Sequence, residues 1–233
     1  YGDLEVGIFG NNDLSSFDVG AFFSNGRALG FATRGKINLD KKKGTLLDLT
    51  AHFKDFALSP FNPFLEGIFY DLRGTMSGQV KINGSVTDPL MDGTLTLHKA
   101  GVGITYLKLN TDIQEGARIK VNNKTFDIDN WLLTDTAYKT QATLNGSIRH
   151  NRLLDWFLDL KLQTLGKRFM VLNTPYTDDA LFYGTAFMKG NATIKGALDE
   201  IAIKVNAKTE EGTSFKIPLS DSESVGDDSF ITF

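Results

Sequence analysis

The chain of 233 residues contains no cysteine, so neither a disulfide scaffold nor a thiolate-bound metal holds it together. Proline is scarce at 5, which leaves long stretches free to pair as strands, while 23 glycines suit many turns. No run of about 18 apolar residues exists, so no segment reads as a membrane-spanning helix. Basic residues do not exceed acidic ones: 25 Lys and Arg stand against 28 Asp and Glu, a net charge of −3. That balance argues against nucleic acid as a partner. The one basic cluster, Lys41-Lys42-Lys43 beside Gly44, reads as a hairpin tip.

Catalytic signatures are missing as well. His52, His98 and His150 are isolated, with no His, Asp or Glu at metal-ligand spacing, and read as strand or loop histidines. There is no nucleophile elbow, phosphate loop or dinucleotide fingerprint. Asp178-Asp179 and Asp227-Asp228 are adjacent pairs, whose side chains point to opposite faces of an extended chain, so neither is a ready acid/base pair. The glycosylation-type triplets at Asn83, Asn123, Asn145 and Asn191 are what strand-and-turn composition produces by chance. No enzyme, metal or cofactor is expected.

What the chain has is alternation. From Thr75, apolar Met76, Val80 and Ile82, with Gly78, fall on one face of an extended segment, and Thr75, Ser77, Gln79, Lys81 and Asn83 fall on the other. Gly84 ends that run, Asp88-Pro89 is expected to bend the chain, Asp92-Gly93 to turn it again, and Leu95 and Leu97 resume the alternation. The unit recurs: Gly190 to Gly196 reads GNATIKG against GQVKING from Gly78, followed by an alternating run through Ile201, Ile203 and Val205. Leu144 and Ile148, Leu160 and Leu162, and Met188 and Ile194 extend the same apolar side. Repeated meander units imply a sheet grown hairpin by hairpin.

Other expected strands are 2–10, 17–25, 35–40, 45–53, 102–110, 117–121, 125–129, 131–134 and 214–219, with a hairpin at Asn25-Gly26. A helical turn is expected over 152–157, and 176–183 is ambiguous. The period changes once. Phe61, Phe64, Leu65, Ile68, Phe69 and Leu72 are spaced as one helical stripe, with Asn62 as N-cap, Pro63 in the first turn, Arg73 at the C-terminal end and Gly74 beyond it. The spacing predicts a short amphipathic helix over 63–73, its stripe packed on the sheet. Residues 220–229 are acidic and serine-rich and read as a mobile loop. Both termini run in strand-like alternation with no signal peptide, so the chain reads as one domain cut from a longer polypeptide. With one helix to cover so many one-sided strands, the sheet must fold on itself, close into a barrel, or cover its apolar side with something other than protein.

The segments Leu72–Gly84, Asp88-Pro89 and Gly93–Leu97, then Tyr183–Ala186, Gly190–Gly196 and Gly212–Leu219, together resemble the TamB C-terminal domain, the last two in its Bacteroidetes form. The resemblance implies an all-β, antiparallel meander curled into an open U-shaped trough, part of an AsmA-like bridge in the periplasm of the diderm cell envelope. It implies an inner-membrane anchor N-terminal to this chain, phospholipid acyl chains as cargo, and an outer-membrane TamA-type barrel as partner. It carries no catalytic residues. Candidate groove-lining residues are then Met76, Val80, Ile82, Leu95, Leu97, Leu144, Ile148, Leu160, Leu162, Met188, Ile194, Ile203 and Val205. Two alternatives remain: a scaffold for β-barrel precursors, and a transmembrane β-barrel. Several strands look shorter than the 9–11 residues a bilayer needs, and no paired aromatic girdles are evident, both of which weigh against the barrel.

Overall fold

Each alternating segment has one dry face, and pairing neighbours in sequence lays those faces side by side. A computed structural model describes residues 3–24, 29–65, 69–105, 107–178, 180–198 and 200–218. The Asn25-Gly26 hairpin signal and the acidic segment 220–229 lie outside these residues.

The strands are β1 (Asp3–Gly10), β2 (Ser16–Ser24), β3 (Leu29–Asp40), β4 (Gly44–Ala57), β5 (Phe69–Ser85), β6 (Asp88–Ile104), β7 (Leu109–Ile113) and β8 (Arg118–Asn123). They continue as β9 (Thr125–Asp135), β10 (Gln141–Asn151), β11 (Asp155–Thr164), β12 (Phe169–Thr174), β13 (Tyr183–Ala197), β14 (Glu200–Thr209) and β15 (Ser214–Lys216). All 15 form one sheet, and every pairing is antiparallel. Three pairs are single rows interrupted once. β7 and β8 lie end to end along β6, β11 and β12 along one side of β13, and β14 and β15 along its other side. The sheet is therefore an up-and-down meander of twelve rows. Among the described residues β1 pairs only with β2 and β14 only with β13, so the sheet stays open.

Bulges cross the sheet row after row. Lys54 and Asp55 together face Ser77, Lys99 and Ala100 face Gly74, and Asp129 and Asn130 face Asn145. Asp55, Lys99 and Asn130 each take a left-handed backbone, with φ of 49°, 47° and 49°. A bulge leaves one amide without a ladder partner, and here a neighbouring side chain accepts it. Asp55 N–H donates to Ser77 Oγ (2.9 Å), Lys99 N–H to Glu115 Oε2 (2.8 Å) and Asn130 N–H to Asn145 Oδ1 (2.8 Å). Bulges increase local twist and bend the sheet. The bend is visible where Asn173 N–H, at the end of β12, donates to Leu107 O beside β7 (3.0 Å), three rows away. This curl is consistent with an open trough.

The helix is the main departure from the sequence reading. Only Asn62–Leu65 forms an α-helical turn, after a 3₁₀ turn at Ser59–Phe61, and Phe69 to Arg73 already belong to β5. Of the expected stripe, Leu72 packs on the main core and Phe69 faces Ile104 across β6. Ile68 and the side chains of Phe64 and Leu65 lie outside the described residues. Asn62 is not an N-cap: its amide accepts from Leu72 N–H (2.8 Å) and donates to Leu72 O (3.0 Å), bridging the chain to β5. Arg73 meets Asp71, Asp112, Asn110 Oδ1 and Thr111 O instead of a helix terminus. β5 runs for seventeen residues, laddered to β6 from Phe69 and to β4 from Thr75 onward, and that pairing outweighs a stripe of six apolar residues.

Smaller departures have local causes. β6 runs straight through Pro89 and Gly93. Pro89 sits second in the strand, where a missing donor is tolerated, and a Cβ at Gly93 would overlap the Gln79 carbonyl oxygen, so that glycine serves close strand approach, not a turn. The expected strand 102–110 is broken at the turn around Thr105, Leu107 and Lys108. The expected helical turn at 152–157 is a tight hairpin with Arg152 and Leu153 at φ 55° and 61°. The strands from β3 to β6 are 12 to 17 residues long, so shortness is not what sets this sheet apart from a transmembrane barrel.

Candidate functional site

Cross-strand register joins the apolar sides of all rows into one surface. Leu4 faces Phe23, then follow Phe31, Phe53, Gly78, Leu95, Ile119, Ile128, Gly146, Leu160, Ile194 and Ile203, from β1 to β14. No polar side chain interrupts this line. A second line two residues along runs Val6, Ala21, Thr33, Ala51, Val80, Gly93, Val121, Phe126, Ile148, Leu158, Gly196 and Ile201. The opposite face reads Glu5, Phe22, Ala32, His52, Gln79, Thr94, Lys120, Asp127, Ser147, Asp159, Lys195 and Ala202 in register, and it is polar through the centre.

Glycines let the rows approach on the apolar side. Gly78 and Gly146 have φ of 148° and 133°, and a Cβ on either would overlap a carbonyl oxygen of the next strand, Thr94 O and Asp159 O respectively.

Burial along this surface is uneven. In the middle rows Val80 is 5% exposed and Val121 1%. At the two ends Val6 is 57% exposed and Ile203 62%. Of the candidate lining residues, Met76, Val80, Leu95, Leu97 and Leu160 are buried in the main cluster, around Trp131 and Ile128. Ile82, Leu144, Ile148, Leu162 and Ile194 are half-buried against it. Ile203 and Val205 are exposed, and Met188 is half-buried between Phe169 and Thr209 in register. A second cluster of Leu109, Ala142, Phe169, Met170 and Phe187 fills one end of the curl. The sequence reading missed β12, which supplies two of these residues, because Phe169 and Met170 are adjacent and both buried, so no alternation marks them.

Polar side chains here serve the backbone. Asp135 is fully buried and accepts from the N–H groups of Ala137 (3.0 Å), Tyr138 (2.6 Å) and Thr140 (2.6 Å) and from the Thr140 hydroxyl, fixing the turn from β9 to β10. His150 is buried, in ring contact with Phe126 and Trp156, and its Nδ1 accepts from Leu153 N–H (3.2 Å). Burial, then Lys124, holds its pKa below the usual histidine value against the pull of Asp88. His98 pairs with Glu115 (2.7 Å), and that carboxylate is held below its usual pKa chiefly by the Lys99 N–H. His52 stands on the polar face opposite Gln79. Among the described residues no three His, Cys, Asp or Glu side chains converge as a metal site. A shallow hollow of about 580 Å³ lies on the polar face near Phe22, Arg34 and Lys36, with Lys36 paired to Asp18 (2.9 Å).

Residues 129–233 match the family model of the TamB C-terminal domain, just under half of the chain. The match takes in the motifs at Tyr183–Ala186, Gly190–Gly196 and Gly212–Leu219, but not those around Thr75–Leu97. That family serves outer-membrane assembly or lipid transport in the cell envelope, works with TamA in the outer membrane, and is structural or transporting, not enzymatic. No curated protein and no solved structure matches the chain.

Proposed function

We propose that this chain is a segment of a TamB-type periplasmic bridge, anchored elsewhere in the inner membrane, whose apolar face shelters phospholipid acyl chains between the two membranes. The observation that carries this reading is the unbroken apolar line from Leu4 to Ile203 across all twelve rows, open to solvent at both ends. At about 4.8 Å per row, that line is on the order of 50 Å long. A two-chain lipid carries about 30 methylenes at about 0.8 kcal/mol each, so bare passage through water costs roughly 20 kcal/mol or more. A continuous apolar surface removes most of that cost without binding any one lipid tightly. The ends near Leu4, Val6, Ile203 and Val205 present this surface directly, whereas the middle rows are filled by their own side chains; on this reading those side chains have to part for an acyl chain to pass.

Mass spectrometry of lipids retained by the protein purified from a diderm host tests this. Phospholipid is expected at about one molecule or more per chain. Its absence from protein that retains its unfolding transition would contradict the reading. Among the described residues β1 and β14 each pair on one side only, and such edges favour a second role, scaffolding β-barrel precursors by strand addition with TamA.

A further inference from the structure

The hollow on the polar face of the first rows has no part in the apolar line. In register, Phe9, Asp18, Lys36 and Asp48 form one cross-strand line, and Gly7, Gly20, Arg34 and Thr50 form the next. Phe22 stands on the line beyond, opposite Glu5. Two glycines directly opposite each other thus lie between the two phenylalanines, and the space of about 580 Å³ opens beside them. The backbone does not require these glycines. Neither has a left-handed φ, and a Cβ on Gly7 or Gly20 would meet its nearest atom at 3.4 or 3.8 Å, in contrast to Gly78 and Gly146. Glycine inside a strand weakens it, so this pair keeps space open and does not serve strand approach. The nearest atoms are those of the Phe9 and Phe22 rings, which lean over the glycines from opposite sides. Their lines are about 13 Å apart along the strands.

The rim of the hollow carries both signs of charge. Arg34 is exposed, forms no ion pair among the described residues, and holds its guanidinium 5.7 Å from the Phe22 ring centre. Lys36 pairs with Asp18 (2.9 Å) and stands opposite exposed Asp48. This mixture selects the ligand. Two carboxylates disfavour a phosphate polyanion, Arg34 and Lys36 disfavour a cation, and the charged rim disfavours a purely apolar molecule. A sugar fits. Its ring has an apolar C–H face to lie on an aromatic side chain, and hydroxyls that donate to carboxylates and accept from Arg, Lys and Thr. The unpaired guanidinium adds a seat for one carboxylate. We propose that this hollow binds an acidic glycan of the cell envelope, its sugar rings lying over Gly7 and Gly20 between Phe9 and Phe22 and its carboxylate on Arg34. The site is on the face opposite the apolar line, so glycan and acyl chains do not compete. The proposal rests on the envelope location and is independent of lipid carriage.

NMR titration of the 233-residue chain tests it, with two acidic glycans in separate arms. One is the N-acetylglucosamine–N-acetylmuramic acid disaccharide of the cell wall, the other a lipid-free inner-core oligosaccharide carrying keto-deoxy-octulosonate. One of the two is expected to shift the amides around Gly20 and Arg34, which also identifies the source. The carboxyl-reduced form of that glycan should bind the parent more weakly, and Arg34→Gln should remove the difference. Gly20→Thr fills the floor of the hollow. It should keep or raise the melting temperature, since threonine suits a strand better than glycine, yet weaken binding about tenfold or more. No shift with either glycan, or unchanged binding by a folded Gly20→Thr chain, would overturn the proposal. Equal binding of the acidic and reduced forms by the parent would overturn it as well.

Discussion

At the scale of single residues, the sheet depends on a few positions that accept no other side chain. Gly146 combines a φ of 133° with a backbone approach that leaves no room for a Cβ. Gly146→Ala should cost about 2–3 kcal/mol in urea unfolding. Gly116, also left-handed at φ 74° but facing open space, is the control, and its change to Ala should cost about 1 kcal/mol. Equal costs would mean that strand approach at Gly146 is unimportant. His150 sets an acid limit. Its folded-state pKa is depressed, so the unfolded chain binds more protons as pH falls past the ordinary histidine value of about 6.5, and stability falls as pH falls through that region. Protonation also takes away the acceptor that holds Leu153 in its left-handed turn. The loss from one such group is at most about 1.4 kcal/mol per pH unit. His150→Asn, which keeps an acceptor but does not titrate, should flatten the difference in melting temperature between about pH 7.5 and 5.5. An acid loss as large as the parent's would place the sensitivity elsewhere. Gly146 was readable only as a member of the alternating run with Leu144 and Ile148, its φ was not, and nothing in the spacing of three lone histidines marked His150 as the buried one.

At the scale of elements, alternation located nearly every strand, because a one-sided sheet has to write its faces into the sequence with period two. It failed where both neighbours are buried, as in β12, and where a helical stripe coincided with a strand, as at Phe69 to Arg73. It also could not show that the expected strands 125–129 and 131–134 are one strand, β9, bulged at Asn130. The cap on that bulge is testable. Asn145→Ala removes the acceptor of the Asn130 N–H and should cost about 1–2 kcal/mol, while Asn145→Asp, which retains an acceptor, should cost well under half as much. If the two variants unfold alike, the hydrogen bond is incidental to the bulge.

At the scale of the whole molecule, the proposed function rests on one feature: a line of apolar residues and glycines crosses all twelve rows in register, from Leu4 to Ile203. The one-sided strands already required some cover for that face. The sequence could not tell buried candidates such as Val80 and Leu97 from exposed ones such as Ile203 and Val205, since alternation reports the face and not the curl. The most direct measurement is photocross-linking in a diderm cell with a photoreactive residue placed singly at Val6, Ile203 and Val205, and at Lys36 and Lys204 on the other face. The lipid account predicts phospholipid adducts at the first three positions and none at the two lysines. Adducts absent from all three apolar positions, or equally abundant on both faces, in protein that folds normally, would contradict it.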